Sequence, residues 1–267
     1  MDAGQLRPAA NAPTFPRSSP EQDHLGQAGR ADGTRVGDDL PMDVEVRRAN
    51  DADLDRAAVV LGEAFADYPW TRWTVDPDGH LRRITELQRI ALHSYGLGFG
   101  QVWVGLVDGI VECAAVWMDS SVEVPASVRE QTAPLTAGLE GANHPASVAA
   151  QQQIRRWRPE RRHYYLATVG TSPLAQRRGV ASAVLLPMLA KAQDEQVCAF
   201  LETSSDTNVA FYTGLGFEVH DHIQISGGGP DVWAMLKRPS PLDATVETPA
   251  AAVDPLAEAR AYPGVGP

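Results

Sequence analysis

Cysteine is nearly absent from this chain, which has two in 267 residues. Cys113 and Cys198 belong to no C-x-x-C pair and have no histidine pair nearby, which disfavours a disulfide framework and a zinc site. Both lie in apolar, strand-like segments, so we predict reduced residues of the hydrophobic core. No metal is expected.

Aromatic residues are almost missing from the two ends of the chain. Residues 1–43 and 240–267 hold half of the 20 prolines but only two of the 18 aromatic residues, Phe15 and Tyr262. Segments of this composition bury too little apolar surface to offset the entropy lost on ordering. We therefore predict a disordered N-terminal tail at 1–43, one folded domain at 44–239 and a disordered C-terminal tail at 240–267.

Long apolar runs and an excess of positive charge are also missing. The longest apolar stretch, near Ala181–Ala190, is interrupted by Pro187 and is too short to cross a bilayer, and the opening MDAGQLRPAANAP lacks the apolar region of a signal peptide. The net charge is −11, whereas general nucleic-acid binding needs a basic face. We expect a cytoplasmic protein, monomeric or homodimeric, with neither membrane nor nucleic acid as a partner.

The most informative segment is Tyr164–Lys191, which has the pattern of a strand, a tight loop and a helix in succession. β-Branched and aromatic residues fill Tyr164–Thr171, Ser172 and Pro173 end the strand, and apolar residues recur at helical spacing from Gly179. The first amides of a helix lack intrahelical acceptors and its dipole adds about half a positive charge there, so the junction favours a phosphate. Neither G-x-G-x-x-G nor G-x-x-x-x-G-K-[ST] is present, which disfavours the nucleotide folds that carry them. A helix-capping glycine turn with two solvated arginines is the alternative.

The rest of the chain alternates strand and helix patterns. Val44–Arg48 is typical of a half-buried strand, and Asn50 with Asp53 forms a capping-box-like start for a helix that runs to about Ala66. The further predicted elements are an aromatic loop with Trp70 and Trp73, a helix at 78–95, hairpin strands at 101–106 and 110–118, two or three short helices within 119–160, a strand at 197–203, a helix at 207–215, and hairpin strands at 217–225 and 231–237. This order predicts an α/β (α+β) fold, a mixed sheet with helices on both faces and a helical insert before the fourth strand.

The pattern Q-x-x-G-x-A stands at Gln176–Ala181 directly after a strand, and ETS at 202–204 and FYTGLGF at 211–217 follow. Together these segments resemble the GCN5-related N-acetyltransferases (GNAT superfamily). The resemblance implies the mostly antiparallel GNAT sheet, an acyltransferase activity, and acetyl-CoA as cofactor and acyl donor. Arg177 departs from the pattern, because many relatives have glycine there.

A closer resemblance, to the puromycin-acetylating enzymes of that superfamily, covers nearly all of 44–239. It is carried by AFADYP, TVDPDGHLRRITELQ, VWV, AAQQQ, LATVG, SAVLLP, FLETS and FYTGLGF. It implies acetylation of the primary amine of a small molecule, an aminonucleoside antibiotic of the puromycin type, with a role in antibiotic resistance or self-protection. The alternatives are another amine such as a biosynthetic intermediate, a different acyl donor, or a non-catalytic acyl-CoA-binding regulator.

The resemblance assigns the donor site to the strand end and the loop that follows. The backbone of Val169, Gly170 and Thr171 would hold the pantetheine arm like an added strand, with the N–H groups of Val169 and Thr171 facing the oxyanion. The pyrophosphate would lie at a run of loop residues, Arg177, Arg178, Gly179, Val180, Ala181 and Ser182, and Gln176 before them is a further predicted cofactor-binding residue. Many relatives have a CoA-contacting asparagine where this chain has Ser205, so either Asn208 takes that contact or the contact is absent.

The catalytic candidates are Tyr212 and Glu202. Tyr212 matches the superfamily tyrosine near the CoA sulfur, which implies that it is the acid for the leaving thiolate. Glu202 is the candidate acceptor of the amine proton, directly or through water. The alternatives are a tyrosine that only packs in the core and a glutamate that binds local backbone or an arginine.

Five aromatic residues are predicted to line the acceptor pocket and to stack on an aromatic group: Tyr68, Trp70, Trp73, Trp103 and Trp117. For Trp103 and Trp117 the alternative is the core, since strand tryptophans usually pack inward. The run Arg155–His163 contains five arginines and is predicted to be a solvated linker; contact with CoA phosphates or an anionic substrate is the alternative.

Overall fold

The computed structural model describes residues 44–241. The tails predicted at 1–43 and 240–267 lie outside the described residues, apart from Ser240 and Pro241. None of the helices described within 44–241 has the length and apolar character needed to cross a membrane.

Seven strands of the described region form one sheet. They are β1 (Val44–Arg48), β2 (Gly100–Val107), β3 (Ile110–Asp119), β4 (His163–Thr171), β5 (Cys198–Thr203), β6 (Glu218–Gln224) and β7 (Asp231–Lys237). Their order is β1-β2-β3-β4-β5-β7-β6, and each neighbouring pair is antiparallel except β4 and β5, which are parallel. The predicted mixed, mostly antiparallel sheet is confirmed.

The helices lie between the strands in the predicted order. They are α1 (Leu54–Phe65), α2 (Pro69–Thr74), α3 (His80–Ile90), α4 (Leu97–Phe99), α5 (Ala126–Glu140), α6 (His144–Ile154), α7 (Val180–Asp194) and α8 (Asp206–Gly214). A π-helical turn, Ala91–Gly96, joins α3 to α4. The insert before the fourth strand consists of α5 and α6, as predicted.

Local sequence signals account for two boundaries between elements, the start of the first helical segment and the turn between β2 and β3. Asn50 and Asp53 form the predicted capping box: the Ala52 N–H donates to Asn50 Oδ1 at 2.9 Å, and the Asn50 N–H donates to Asp53 Oδ2 at 2.8 Å. At the β2–β3 turn, Asp108 and Gly109 have φ of 52° and 76°, the left-handed backbone that a two-residue hairpin turn requires.

The segment with Trp70 and Trp73 is a helix, α2, where the sequence predicted a loop. Pro69 occupies the first helical turn, where its fixed φ is favourable and its missing N–H costs nothing. The Thr74 hydroxyl donates to the Trp70 carbonyl at 2.9 Å, and the Thr71 hydroxyl donates to the Tyr68 carbonyl at the same distance.

The sheet has an apolar core on each face, because successive residues of a strand point to opposite sides. On β3, Cys113, Ala115 and Trp117 pack in the core that contains α7. Ala114 and Val116 pack in the core that contains α1. Cys113 is a buried free thiol, as predicted, whereas the free Cys198 is only half-buried.

Candidate active site

The sheet opens between β4 and β5. These strands pair only from His163 opposite Cys198 to Leu166 opposite Leu201, although β4 continues to Thr171. The β4 edge from Ala167 onward therefore has no β5 partner, and its backbone groups remain available to a ligand that pairs like a strand. Two cavities flank this opening.

The larger cavity, here called the donor groove, has a volume of about 490 Å³. Ten of the predicted cofactor residues line it: Val169, Gly170, Thr171, Gln176, Arg177, Gly179, Val180, Ala181, Ser182 and Asn208. Arg178 is exposed and does not line it. The predicted cofactor residues, apart from Arg178, therefore line one continuous surface.

The loop before α7 has two residues in the left-handed region, Arg177 at φ 61° and Gly179 at φ 79°. The left-handed φ at Arg177 gives a reason why glycine suits this position. Gly179 is the N-cap of α7, no side chain caps it, and a Cβ built there would meet no protein atom within 4 Å. The first turn of α7 is thus uncapped and lines the donor groove, which fits a pyrophosphate.

The side chain of Gln176 stabilises the start of this loop. Its Nε2 donates to the Thr171 carbonyl at 3.1 Å, which links the loop to the last residue of β4. The unpaired β4 edge and the uncapped α7 terminus lie on the same groove. The donor groove therefore fits acetyl-CoA, a ligand with a strand-like pantetheine arm and a pyrophosphate, whose thioester would supply an activated acetyl group.

The smaller cavity, here called the acceptor cavity, has a volume of about 260 Å³. Five aromatic side chains line it: Phe65, Tyr68, Trp70, Tyr165 and Tyr212. The polar side chains of Gln88, Gln151 and Thr168 also line it, with Gln151 supplied by α6 of the insert. The predicted Tyr68 and Trp70 thus lie on this cavity.

The other three predicted tryptophans do not line the acceptor cavity. Trp73 packs edge-to-face on Trp70, with ring centroids 5.7 Å apart. Trp117 is 1% exposed in the core under α7, and Trp103 packs against the same core. For Trp103 and Trp117 the structure supports the core alternative, because the strand pleat directs both rings to the α7 face.

The two cavities meet at a shared wall. Five residues line both: Phe65, Tyr68, Val169, Asn208 and Tyr212. The sequence predicted Asn208 and Val169 for the donor, Tyr68 for the acceptor and Tyr212 for catalysis. A group held in the donor groove would therefore reach the acceptor cavity beside Tyr212.

Tyr212 lies on α8 and is 6% exposed. Burial raises the pKa of its hydroxyl well above the ordinary value, and the neighbouring Tyr68 and Cys113 add to the shift. Among the described residues 44–241, no hydrogen bond contributes to that shift. The hydroxyl is therefore protonated at neutral pH, as a proton donor must be.

Glu202 is held by two neighbours. Arg158 Nε and Nη2 donate to its Oε1 and Oε2 at 3.2 and 3.5 Å, and the Tyr165 hydroxyl donates to Oε2 at 2.6 Å. The Arg158 guanidinium also lies over the Tyr165 ring, 4.3 Å from its centroid. Of the two possibilities left open for Glu202, the ion pair with an arginine is present.

The segment Arg155–His163, which was predicted to be a solvated linker, contains two arginines that form ion pairs with carboxylates. Arg158 binds Glu202, while Arg162 Nη2 donates to Asp119 Oδ2 at 2.6 Å. Arg155, Arg156 and Arg161 are exposed. None of these five arginines lines the donor groove, so the alternative of contact with CoA phosphates gains no support among the described residues.

Ser205 and Asn208 both line the donor groove. Ser205 Oγ also accepts a hydrogen bond from the Asn208 N–H at 3.4 Å and so caps α8. Asn208 lies one turn further along, where the two cavities meet.

Sequence reasoning gave no site role to Gln88, Gln151 and Tyr165, which line the acceptor cavity, or to Arg158, which binds Glu202. Gln88 and Gln151 stand in TVDPDGHLRRITELQ and AAQQQ, two segments that carried the family resemblance but received no role. Tyr165 immediately precedes LATVG. The family resemblance thus pointed to the segments that contain or adjoin Gln88, Gln151 and Tyr165. Arg158 was marked only by its position in an arginine-rich run.

Comparison with known proteins agrees with this geometry. Residues 110–217, which contain the α7 loop and Tyr212, match the model of the acetyltransferase (GNAT) family. A Corynebacterium glutamicum structure of "histone acetyltransferase HPA2 and related acetyltransferase" is 26% identical, with 75% of this chain and 98% of that chain covered and a TM-score of 0.58. An agmatine N-acetyltransferase structure shares the fold at 12% identity, with 73% and 99% covered and a TM-score of 0.50. Over residues 110–217 the chain is similar to the GNAT acetyltransferase family, and we conclude that it is an acetyltransferase that uses acetyl-CoA.

Proposed function

We propose that the enzyme transfers the acetyl group of acetyl-CoA to the primary amine of a small molecule with a flat aromatic group, an aminonucleoside antibiotic of the puromycin type. The observation that carries this proposal is the aromatic-lined acceptor cavity, which meets the donor groove at Tyr212. An aminonucleoside offers both an amine and aromatic rings to such a site.

The lining of the cavity supports an aromatic acceptor. Phe65, Tyr68, Trp70 and Tyr165 present apolar ring surface, on which flat groups stack favourably. Gln88 Oε1 accepts a hydrogen bond from the Thr168 hydroxyl at 3.4 Å, which leaves the Gln88 amide N–H groups for polar ring atoms. A volume of about 260 Å³ lies just below the usual range of ligand pockets and favours a small molecule over a folded protein.

In the proposed reaction, residues at the junction and beside it have separate roles. The neutral amine attacks the thioester carbonyl, so that a C–N bond forms and the C–S bond breaks. Tyr212 donates its proton to the departing sulfur, and Glu202 accepts a proton from the amine, directly or through water. The N–H groups of Val169 and Thr171 stabilise the oxyanion.

The experiment is an assay of released CoA thiol with a panel of acceptors. Puromycin should support turnover, and puromycin acetylated beforehand on its amino group should not, because only the nucleophile differs. Agmatine, tryptamine and a histone-tail peptide test other acceptors. The proposal is overturned when puromycin gives no CoA above the rate without acceptor, or when another amine exceeds it tenfold in kcat/KM.

A further inference from the structure

Glu202 has a special position in the acceptor cavity. Among the described residues that line the cavity, it is the one whose side chain carries a formal charge at neutral pH. Its side chain is only 12% exposed. Arg158 does not line the cavity, although it binds the Glu202 carboxylate.

The hydrogen bonds of Glu202 leave it little free capacity. A carboxylate has about four lone-pair sites. Arg158 and Tyr165 occupy three of them, two on Oε2 and one on Oε1. One acceptor site on Oε1 therefore remains for a ligand.

Arg158 is itself held firmly. Burial lowers its pKa, but the neighbouring Tyr165 and Glu202 outweigh that effect, so the pKa lies above its ordinary value and the guanidinium is charged. It packs over the Tyr165 ring, a favourable cation–π contact. The Arg158–Glu202 pair thus brings no net charge to the cavity.

We propose that Arg158 is a positioning residue that selects acceptors carrying a single amine, because it fixes Glu202 and neutralises its charge. This inference rests on the proposed function of the acceptor cavity. A diamine or polyamine must bring a second ammonium group into the cavity, where no unpaired carboxylate of the described residues replaces its lost hydration. An aromatic monoamine loses one proton before it attacks and carries no second ammonium group, so it meets no such cost.

The test compares two acceptors that differ by one amine, 4-methylbenzylamine and p-xylylenediamine. In the parent enzyme the monoamine should have at least a tenfold higher kcat/KM. In Arg158→Met the carboxylate loses its cation and attracts the second ammonium, so this preference should fall at least tenfold, mainly through a lower KM for the diamine. The Kd of acetyl-CoA, measured by calorimetry, should stay unchanged because Arg158 does not line the donor groove.

Three further variants separate charge from structure. Arg158→Lys keeps the charge and should retain the preference within threefold. Arg156→Met removes an exposed arginine of the same segment and should change nothing. In Arg158→Met combined with Glu202→Gln, the lower diamine KM should return to the parent value, since no free carboxylate is left.

An unchanged preference in Arg158→Met overturns the inference, and so does a parent enzyme that favours the diamine or accepts neither amine. Should Arg158→Met fail to fold, a preference lost in Arg158→Lys overturns it equally. Failure of puromycin as acceptor, with the monoamine preference intact and lost in Arg158→Met, would refute the proposed function alone.

Discussion

The hydroxyl of Tyr68 lies 3.0 Å from Thr203 Oγ1 and also accepts a hydrogen bond from the Ser204 N–H. Tyr68 is at the junction of α1 and α2, whereas Thr203 is the last residue of β5. This contact connects the helical wall of the acceptor cavity to the strand that carries Glu202. One tyrosine therefore stabilises the fold and shapes the cavity.

Tyr68→Phe should lower both stability and acceptor binding. It leaves the buried Ser204 N–H without its acceptor, which costs about 1–3 kcal/mol. Urea denaturation should show a loss of that size, and the KM for the acceptor should rise. Tyr95→Phe is the matched control, because the Tyr95 hydroxyl contacts Thr132 at 2.6 Å away from both cavities; it should lose stability without a change in KM. An unchanged denaturation midpoint in Tyr68→Phe would contradict the structural role.

A surface ion-pair network should make stability depend on acid pH. Arg162 holds the pKa of Asp119 at about 2, and Lys191, with Tyr164 and Arg162, holds the pKa of Glu195 at about 2. Both values lie below those of an unfolded chain, which are about 4. The stabilisation is therefore fully present above about pH 4 and is lost as the pH falls toward 2.

Arg162→Met tests this dependence. It should flatten the decline of unfolding free energy between about pH 4.5 and 2.5, and its effect on stability at neutral pH should be small because Arg162 and Glu195 are largely open to solvent. Urea titrations at several pH values measure both effects. Arg161→Met, an exposed neighbour, is the control. Parallel pH curves for the two variants would show that Arg162 does not set the shift.

The sequence predicted features whose causes are local. Val44–Arg48 and Asp231–Lys237 agree with the observed strands, because alternation of apolar residues and turn signals fix both ends. The larger part of the donor groove follows equally from one stretch, since β4, its loop and α7 are consecutive. The sequence does not predict helix α2 because a proline ordinarily ends a helical pattern, although Pro69 stands in the first turn, where proline is favourable.

The acceptor cavity was harder to predict because it depends on contacts far apart in the chain. Arg158 and Glu202 are 44 residues apart, and they meet through the pairing of β4 with β5. Which face a strand tryptophan occupies depends on register, and β3 has a register shift at Val116 and Trp117. Composition identifies the aromatic residues, but only the sheet assigns Tyr165 to the cavity and Trp117 to the core.

Gly179→Asp should weaken acetyl-CoA binding at least tenfold, about 1.4 kcal/mol. The new carboxylate would stand at the α7 N-terminus, where the pyrophosphate is expected. Gly179→Asn is the matched control, because asparagine has the same shape, is neutral and also tolerates the left-handed φ of 79°. Its Kd should stay within about threefold of the parent value by calorimetry. Equal affinities of the Asp and Asn variants would place the pyrophosphate elsewhere.

Tyr212→Phe should lower kcat by roughly 10²-fold and leave the KM for acetyl-CoA nearly unchanged, because an interaction made only in the transition state is lost. The ring would still pack against Phe211 and Phe217, whose centroids lie 5.1 and 5.8 Å away, so the fold should persist. Because burial raises the pKa of Tyr212, the parent kcat should show no fall from its ionisation below about pH 9. Single-turnover kinetics separate chemistry from product release. A single-turnover rate within threefold of the parent in the folded variant would remove Tyr212 from the mechanism and leave the thiolate to take its proton from water.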